Sequence, residues 1–145
     1  MDSAKQDSSR LNCSAHLRFT DGKPSLLGSS CKSCGEVYFP KASGCTKCCA
    51  TKMEVTDLGS EGALWAFTIQ SFMPKIPYDG GQTAETFKPY GVGYVEMPSG
   101  VKVEARLTVG DPKLLKTGMA VRLVINQYGT APDGTALAVY EFEPA

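Results

Sequence analysis

Apolar residues in the second half of the chain recur at every second position, the spacing of half-buried β-strands. Gly62-Ala63-Leu64-Trp65-Ala66-Phe67-Thr68-Ile69 and Tyr90-Gly91-Val92-Gly93-Tyr94-Val95-Glu96-Met97 each predict a strand. Pro98-Ser99-Gly100 predicts a turn into the strictly alternating Val101-Lys102-Val103-Glu104-Ala105-Arg106-Leu107, so these two segments read as a hairpin. Met119-Ala120-Val121-Arg122-Leu123-Val124-Ile125 and Ala136-Leu137-Ala138-Val139-Tyr140-Glu141-Phe142 complete the set around Pro132-Asp133-Gly134. Only 111–118 suits a helix, for a turn or two, with Pro112 near its start and Gly118 at its stop. The sole tryptophan, Trp65, is expected in the core. Five strands in about 90 residues point to a small closed barrel, and the OB-fold is the commonest five-stranded solution.

Upstream, the pattern changes. Residues 1–10 are polar and charged and read as a mobile tail. Ser25-Leu26-Leu27-Gly28 and Glu36-Val37-Tyr38-Phe39-Pro40 are each long enough for one small strand. With four cysteines at metal-ligand spacing (Cys31, Cys34, Cys45 and Cys48), the expected organisation is mostly β: an N-terminal tail or docking segment over 1–24, a rubredoxin-like zinc ribbon over 25–53 and an OB-fold domain over 54–145. Between the first two barrel strands runs a long connection, 71–88, with Pro74, Pro77, Gly80 and Gly81. Its Phe72, Met73, Ile76, Tyr78 and Phe87 make it a candidate functional loop. They either bury against a partner or pack over an open barrel end, and the sequence is compatible with both.

Charge refines this division. The whole chain of 145 residues carries 15 basic and 15 acidic side chains. The zero conceals two halves: residues 1–56 hold eight basic and five acidic groups, and residues 57–145 hold seven and ten. An acidic barrel argues against a polyanion partner, which calls for clustered lysine and arginine. No apolar run approaches the roughly 18 residues that cross a bilayer, and the N-terminus lacks an apolar secretory core. A cytoplasmic protein with no membrane partner is the expectation.

All six cysteines fall between Asn12 and Met53. Cys31-Lys32-Ser33-Cys34 and Cys45-Thr46-Lys47-Cys48 repeat a C-x2-C spacing across ten residues. Two such knuckles supply four thiolates to one tetrahedral ion, the standard shell of structural zinc. Iron fits the same four sulfurs. A closed shell leaves no open coordination position, so the metal folds the ribbon and does no chemistry. Gly35 follows the first pair, where a knuckle favours positive φ, and Cys49 stands at that place in the second. Cys49 competes with Cys48 as the fourth ligand on sequence grounds; the repeated spacing favours Cys48. Cys13 lies too far upstream and reads as a free thiol. His16, the one histidine, reads as a surface or packing residue.

No phosphate loop, nucleophile elbow or H-E-x-x-H motif occurs. Glu96 and Glu104 fall on the polar faces of alternating strands. Lys32, Lys41 and Lys47 fit a solvated ribbon face better than a phosphate site. A non-catalytic role follows.

The order of motifs from Leu27-Gly28-Ser29-Ser30-Cys31 through Tyr38-Phe39-Pro40, Cys45-Thr46-Lys47-Cys48, Gly62–Thr68, Tyr90–Glu96 and Gly118–Arg122 resembles the zinc-ribbon/OB-fold proteins that accompany thiolase-like enzymes. The resemblance covers about 25–143. It implies a small scaffolding subunit bound to a thiolase-fold, hydratase or aldolase partner acting on acyl-CoA thioesters, as in degradation of aromatic compounds or steroids. The partner would supply the nucleophile and base. Phe39, Phe72, Ile76, Tyr78, Phe87 and Tyr90 then become candidate contacts to the partner or to a CoA thioester at the interface. Two departures stand out: Thr46 and Cys49 replace the proline and glycine of many relatives, and Asp21-Gly22-Lys23-Pro24 breaks the N-terminal helix many relatives carry. The competing reading is a single-stranded nucleic-acid module, since ribbons and OB-folds both serve that purpose.

Overall fold

A computed structural model describes residues 13–78 and 81–145. The tail expected over 1–10 lies outside the described residues, as does Gly80 of the long connection. Among the described residues the secondary structure is nine strands and two 3-10 turns, Ser14–His16 and Pro112–Leu114. The short helix expected over 111–118 is thus a single 3-10 turn, capped by the Asp111 carboxylate, which accepts from the Lys113 amide. Among the described residues no helix is long and apolar enough to cross a membrane.

The first four strands form one sheet: β1 (Leu17–Thr20), β2 (Lys23–Cys31), β3 (Val37–Tyr38) and β4 (Met53–Gly59). β2 is its spine, antiparallel to β1 and β3 along one edge and to β4 along the other. The sheet therefore draws in β1 and β4, beyond the 25–53 interval read from composition. Asp21 and Gly22 are the two-residue loop of the β1–β2 hairpin, both at positive φ (52° and 78°). That is the backbone such a loop needs to match strand twist, and the same two residues are what excludes a helix here.

The next five strands close a barrel in the order β5-β6-β7-β9-β8, the OB-fold topology. They are β5 (Glu61–Gln70), β6 (Tyr90–Glu96), β7 (Lys102–Leu107), β8 (Ala120–Thr130) and β9 (Ala136–Pro144). Leu64, Val95, Met97, Val103, Val121 and Phe142 fill the interior. Gly93 is required by space: a Cβ there would lie 2.8 Å from both the Ala66 carbonyl oxygen and a Leu64 methyl. Closure is weakest between β7 and β9, which pair in parallel only at Arg106–Leu107 with Glu141–Phe142. Near that seam the Tyr140 hydroxyl donates to the Glu104 carbonyl (3.4 Å).

Trp65 corrects the sequence reading. It is 52% exposed, because the β5–β6 register slips between Leu64 and Ala66 and leaves Trp65 as the extra residue of a bulge. Leu64 turns inward instead. Leu17, Leu26 and Leu58 of the ribbon sheet belong to the same buried cluster as the barrel interior. Ribbon and barrel share one core.

Candidate metal centre and barrel clefts

The sulfurs of Cys31, Cys34, Cys45 and Cys48 all lie within 4.8 Å of one another. Cys31 and Cys48 are 3.6 Å apart, and Cys34 and Cys45 are 3.5 Å apart. A metal–sulfur bond of about 2.3 Å sets tetrahedral edges of roughly 3.8 Å, so four thiolates at these separations fit one ion. The two knuckles are built alike. Gly35 N–H donates to the Cys31 carbonyl (2.8 Å) with φ 79°, and Cys49 N–H donates to the Cys45 carbonyl (3.0 Å) with φ 63°. Cys49 is therefore the structural counterpart of Gly35 and stands outside the sulfur group, which takes Cys48. The strain of a side chain in the left-handed region falls on Cys49.

Backbone and hydroxyl donors tune the sulfurs. The Tyr38 hydroxyl lies 3.3 Å from the Cys45 sulfur and accepts from the Thr46 amide (3.0 Å). Tyr38 first, then the Cys48 amide, hold the Cys45 thiol down to about 6. At Cys48 the Ala50 amide favours the thiolate, but the neighbouring sulfurs of Cys31, Cys34 and Cys45, with desolvation, outweigh it and push that thiol up to about 12. Four sulfurs this close cannot all ionise without a cation among them. Of the lysines around the site, Lys47 pairs with Glu36 (3.1 Å), and Lys32 and Lys41 are exposed.

The six candidate contact residues do not converge on one site. Phe72 and Ile76 project from the long connection, 71% and 95% exposed. Tyr78 is half-buried in the same connection and donates to Gln82 (2.8 Å). Phe87 stands edge-on to Tyr90, with ring centroids 6.1 Å apart. Phe39 packs edge-on against His16 (5.6 Å) and Tyr140 (5.8 Å), joining the ribbon to the barrel. His16 is thus a packing residue, as read.

Two clefts adjoin on the barrel exterior. One, of about 630 Å³, runs between Phe39–Pro40 of the ribbon and Tyr90, Tyr94 and Glu104 of the barrel. The other, of about 510 Å³, lies among Cys13, Tyr78, Tyr128, Tyr140 and Glu141. Arg106, Val139 and Tyr140 line both. The Arg106 guanidinium carbon lies over the Tyr90 ring (3.9 Å from its centre), with its Nε 3.8 Å from the buried Glu141 carboxylate, which also accepts from Asn126 (3.1 Å). Burial raises the Tyr90 phenol, as does Tyr78 nearby, against the opposing pull of Arg106. Sequence reasoning missed Arg106, Tyr128 and Glu141. Their strands alternate like any solvated face; the β7–β9 seam brings Arg106 to Glu141, and the β8–β9 pairing adds Tyr128. A separate exposed group, Trp65 edge-on to Tyr94 (6.3 Å) with Lys102 over the indole (5.0 Å), marks the bulge.

Residues 22–54 match the family model described as the ChsH2 rubredoxin-like zinc ribbon domain, and residues 55–126 match the ChsH2 C-terminal OB-fold domain. The chain is 33% identical over 123 residues to the benzoylsuccinyl-CoA thiolase subunit BbsA of Thauera aromatica, covering 84% of this chain and 78% of the relative. It is 30% identical over 135 residues to a DUF35 domain-containing scaffold protein of Pyrococcus furiosus, covering 92% and 93%. In the Ltp2-ChsH2(DUF35) aldolase structure a chain superposes with a TM-score of 0.62 at 21% identity, over 83% of this chain and 84% of that one, a likeness of fold. By name the sequence relatives are a subunit and a scaffold protein, in keeping with a non-catalytic role. The chain belongs to the ChsH2-type family, in which a rubredoxin-like zinc ribbon precedes an OB-fold domain.

Proposed function

We propose that this chain is a non-catalytic, zinc-binding subunit of a thiolase-type complex acting on acyl-CoA thioesters. The observation that carries the reading is the long connection: Phe72 and Ile76 stand exposed on a segment whose flanking Tyr78 and Phe87 are packed. Apolar side chains held in water in this way suit burial against a protein surface, where aromatic residues act as anchors. Kinship with a named thiolase subunit supports a thiolase-fold enzyme as that partner. By the same analogy the substrate is an aromatic acyl-CoA thioester; a steroid thioester is the alternative. The CoA portion would lie at the interface, and the complex would work in a reducing cytoplasm where six thiols persist.

Cys31, Cys34, Cys45 and Cys48 would hold zinc, which when bound closes the ribbon and offers substrate no coordination position. Metal analysis with an absorption spectrum separates zinc from iron, because ferric thiolates are coloured. The partner test is co-expression with a thiolase-fold chain. The wild-type chain should co-purify, and the double variant Phe72→Asp/Ile76→Asp, still metal-loaded, should not. Undiminished co-purification of that variant would remove the loop from the interface.

The second reading, a single-stranded nucleic-acid module, has the Trp65–Tyr94–Lys102 group in its favour as a stacking platform. Salt-sensitive retention of an oligonucleotide by the purified chain, lost in Trp65→Ala, would establish it. The acidic barrel is the reason it ranks second.

A further inference from the structure

The geometry points to a binding site on the barrel itself for a small aromatic carboxylate, gripped by Arg106 at the junction of the two exterior clefts. This goes beyond the subunit reading and does not rest on it.

Arg106 is preorganised. The guanidinium sits over the Tyr90 ring at 3.9 Å, and Glu141 lies 3.8 Å from its Nε. Among the described residues nothing else bonds the group, and Arg106 lines both clefts. A planar fork held by a ring and a carboxylate loses little freedom when an anion arrives, and its free edge matches a carboxylate in bidentate geometry. Glu141 is unusual for the outside of a barrel strand, being 8% exposed. Its charge is already shared between Arg106 and the Asn126 amide, so it orients the guanidinium more than it competes for it.

The neighbouring surface defines the rest of the ligand. Tyr78, Tyr128, Tyr140, Ala138, Val139 and Cys13 surround the cleft of about 510 Å³. That size falls within the range of small-molecule sites, roughly 300–1,000 Å³. Three tyrosine rings with Ala138 and Val139 suit an aromatic body, and Gln82, Asn126 and Glu141 add polar groups to the wall. Charge selects the head group. Glu104 lines the adjoining cleft and Glu141 the main one, so a dianion meets more repulsion than a monoanion. The site therefore favours a single carboxylate over a phosphate.

The test uses the full, metal-loaded chain and 3-phenylpropionate as probe, followed by NMR at the Arg106 Nε–H and the backbone amides of Val139 to Glu141. The expected result is saturable shifts with a Kd on the order of 1 mM. The amide 3-phenylpropionamide and the monoester phenyl phosphate should each bind at least about tenfold more weakly. Arg106→Gln should weaken the acid by about tenfold or more, with Arg106→Lys intermediate. Because Arg106→Gln leaves the buried Glu141 without its cation, Arg106→Gln/Glu141→Gln provides a variant without an unneutralised buried charge, and it too should lose binding. Wild-type affinity in that double variant, equal binding of acid and amide, or no saturable shift with the acid would overturn the assignment. Tighter binding of phenyl phosphate would overturn the choice of a carboxylate.

Discussion

Ribbon and barrel are both built of strands but owe their order to different forces. The barrel encloses Leu64, Val95, Val103, Val121 and Phe142 and can draw on apolar burial. The ribbon has Leu17, Leu26 and Leu58 on one side, already shared with the barrel, and at its far end little but sulfur, glycine and exposed lysine. A region that short of core needs a metal to hold its loops. The difference teaches where perturbations will be felt: chemistry at the sulfurs should unfold one end, whereas packing changes in the barrel should weaken the whole.

The strongest way to break the comparison is to remove the metal. Chelation, or Cys45→Ser, forfeits a binding energy of about 10 kcal/mol or more in comparable ribbons. Hydrogen exchange should show 31–50 losing protection while β6, β7 and β8 keep theirs. Uniform loss of protection would mean that the metal holds both regions. Acid acts in the same direction. Cys48 carries a proton in the metal-free cluster, its thiol pushed up to about 12, and binding must displace it. Metal affinity should therefore fall as pH falls, as a competitive chelator titration would show.

Packing is the next largest effect. Phe142 is fully buried between the barrel walls, and Phe142→Ala should cost about 3–5 kcal/mol in denaturant unfolding without changing metal stoichiometry. Smaller again, Tyr38→Phe removes a hydroxyl that serves both the Cys45 sulfur and the Thr46 amide. Orienting groups of this kind typically contribute about 10-fold to 100-fold in metal affinity, and that loss should appear in metal competition while the barrel's stability stays unchanged.

The smallest effect discriminates most sharply between the cysteines. Cys49→Gly should keep one metal per chain and add up to about 1 kcal/mol of stability by relieving a side chain at positive φ. Loss of metal in that variant would make Cys49 a ligand. Alkylation of the loaded protein should modify exposed Cys49 first. Buried Cys13, its thiol raised by desolvation, should react slowly and only as pH climbs above the ordinary cysteine range.

Legibility in the sequence followed the range of the interactions. The knuckles were readable because their ligands are fixed by spacing over a few residues, and the five barrel strands because alternation is a local signal. The repeated spacing favoured Cys48 over Cys49, and Cys48 is the fourth sulfur of the cluster. The backbone gives the reason: it repeats the first knuckle, with Cys49 in the place of Gly35. Trp65 was misread because a bulge inverts the alternation after Leu64, and nothing in the run of residues marks it.

By itself, then, the sequence determined a four-cysteine ribbon, a five-stranded β domain and the apolar loop between its first two strands. Those features rest on period, spacing and turn residues, which neighbouring positions impose on one another. Only the tertiary structure decided that ribbon and barrel share a core and that β7 and β9 meet over a two-residue seam. It likewise decided that Arg106 lies between Tyr90 and Glu141 with clefts on either side. Such placements join residues far apart in the chain through packing and charge, and no local pattern carries that information.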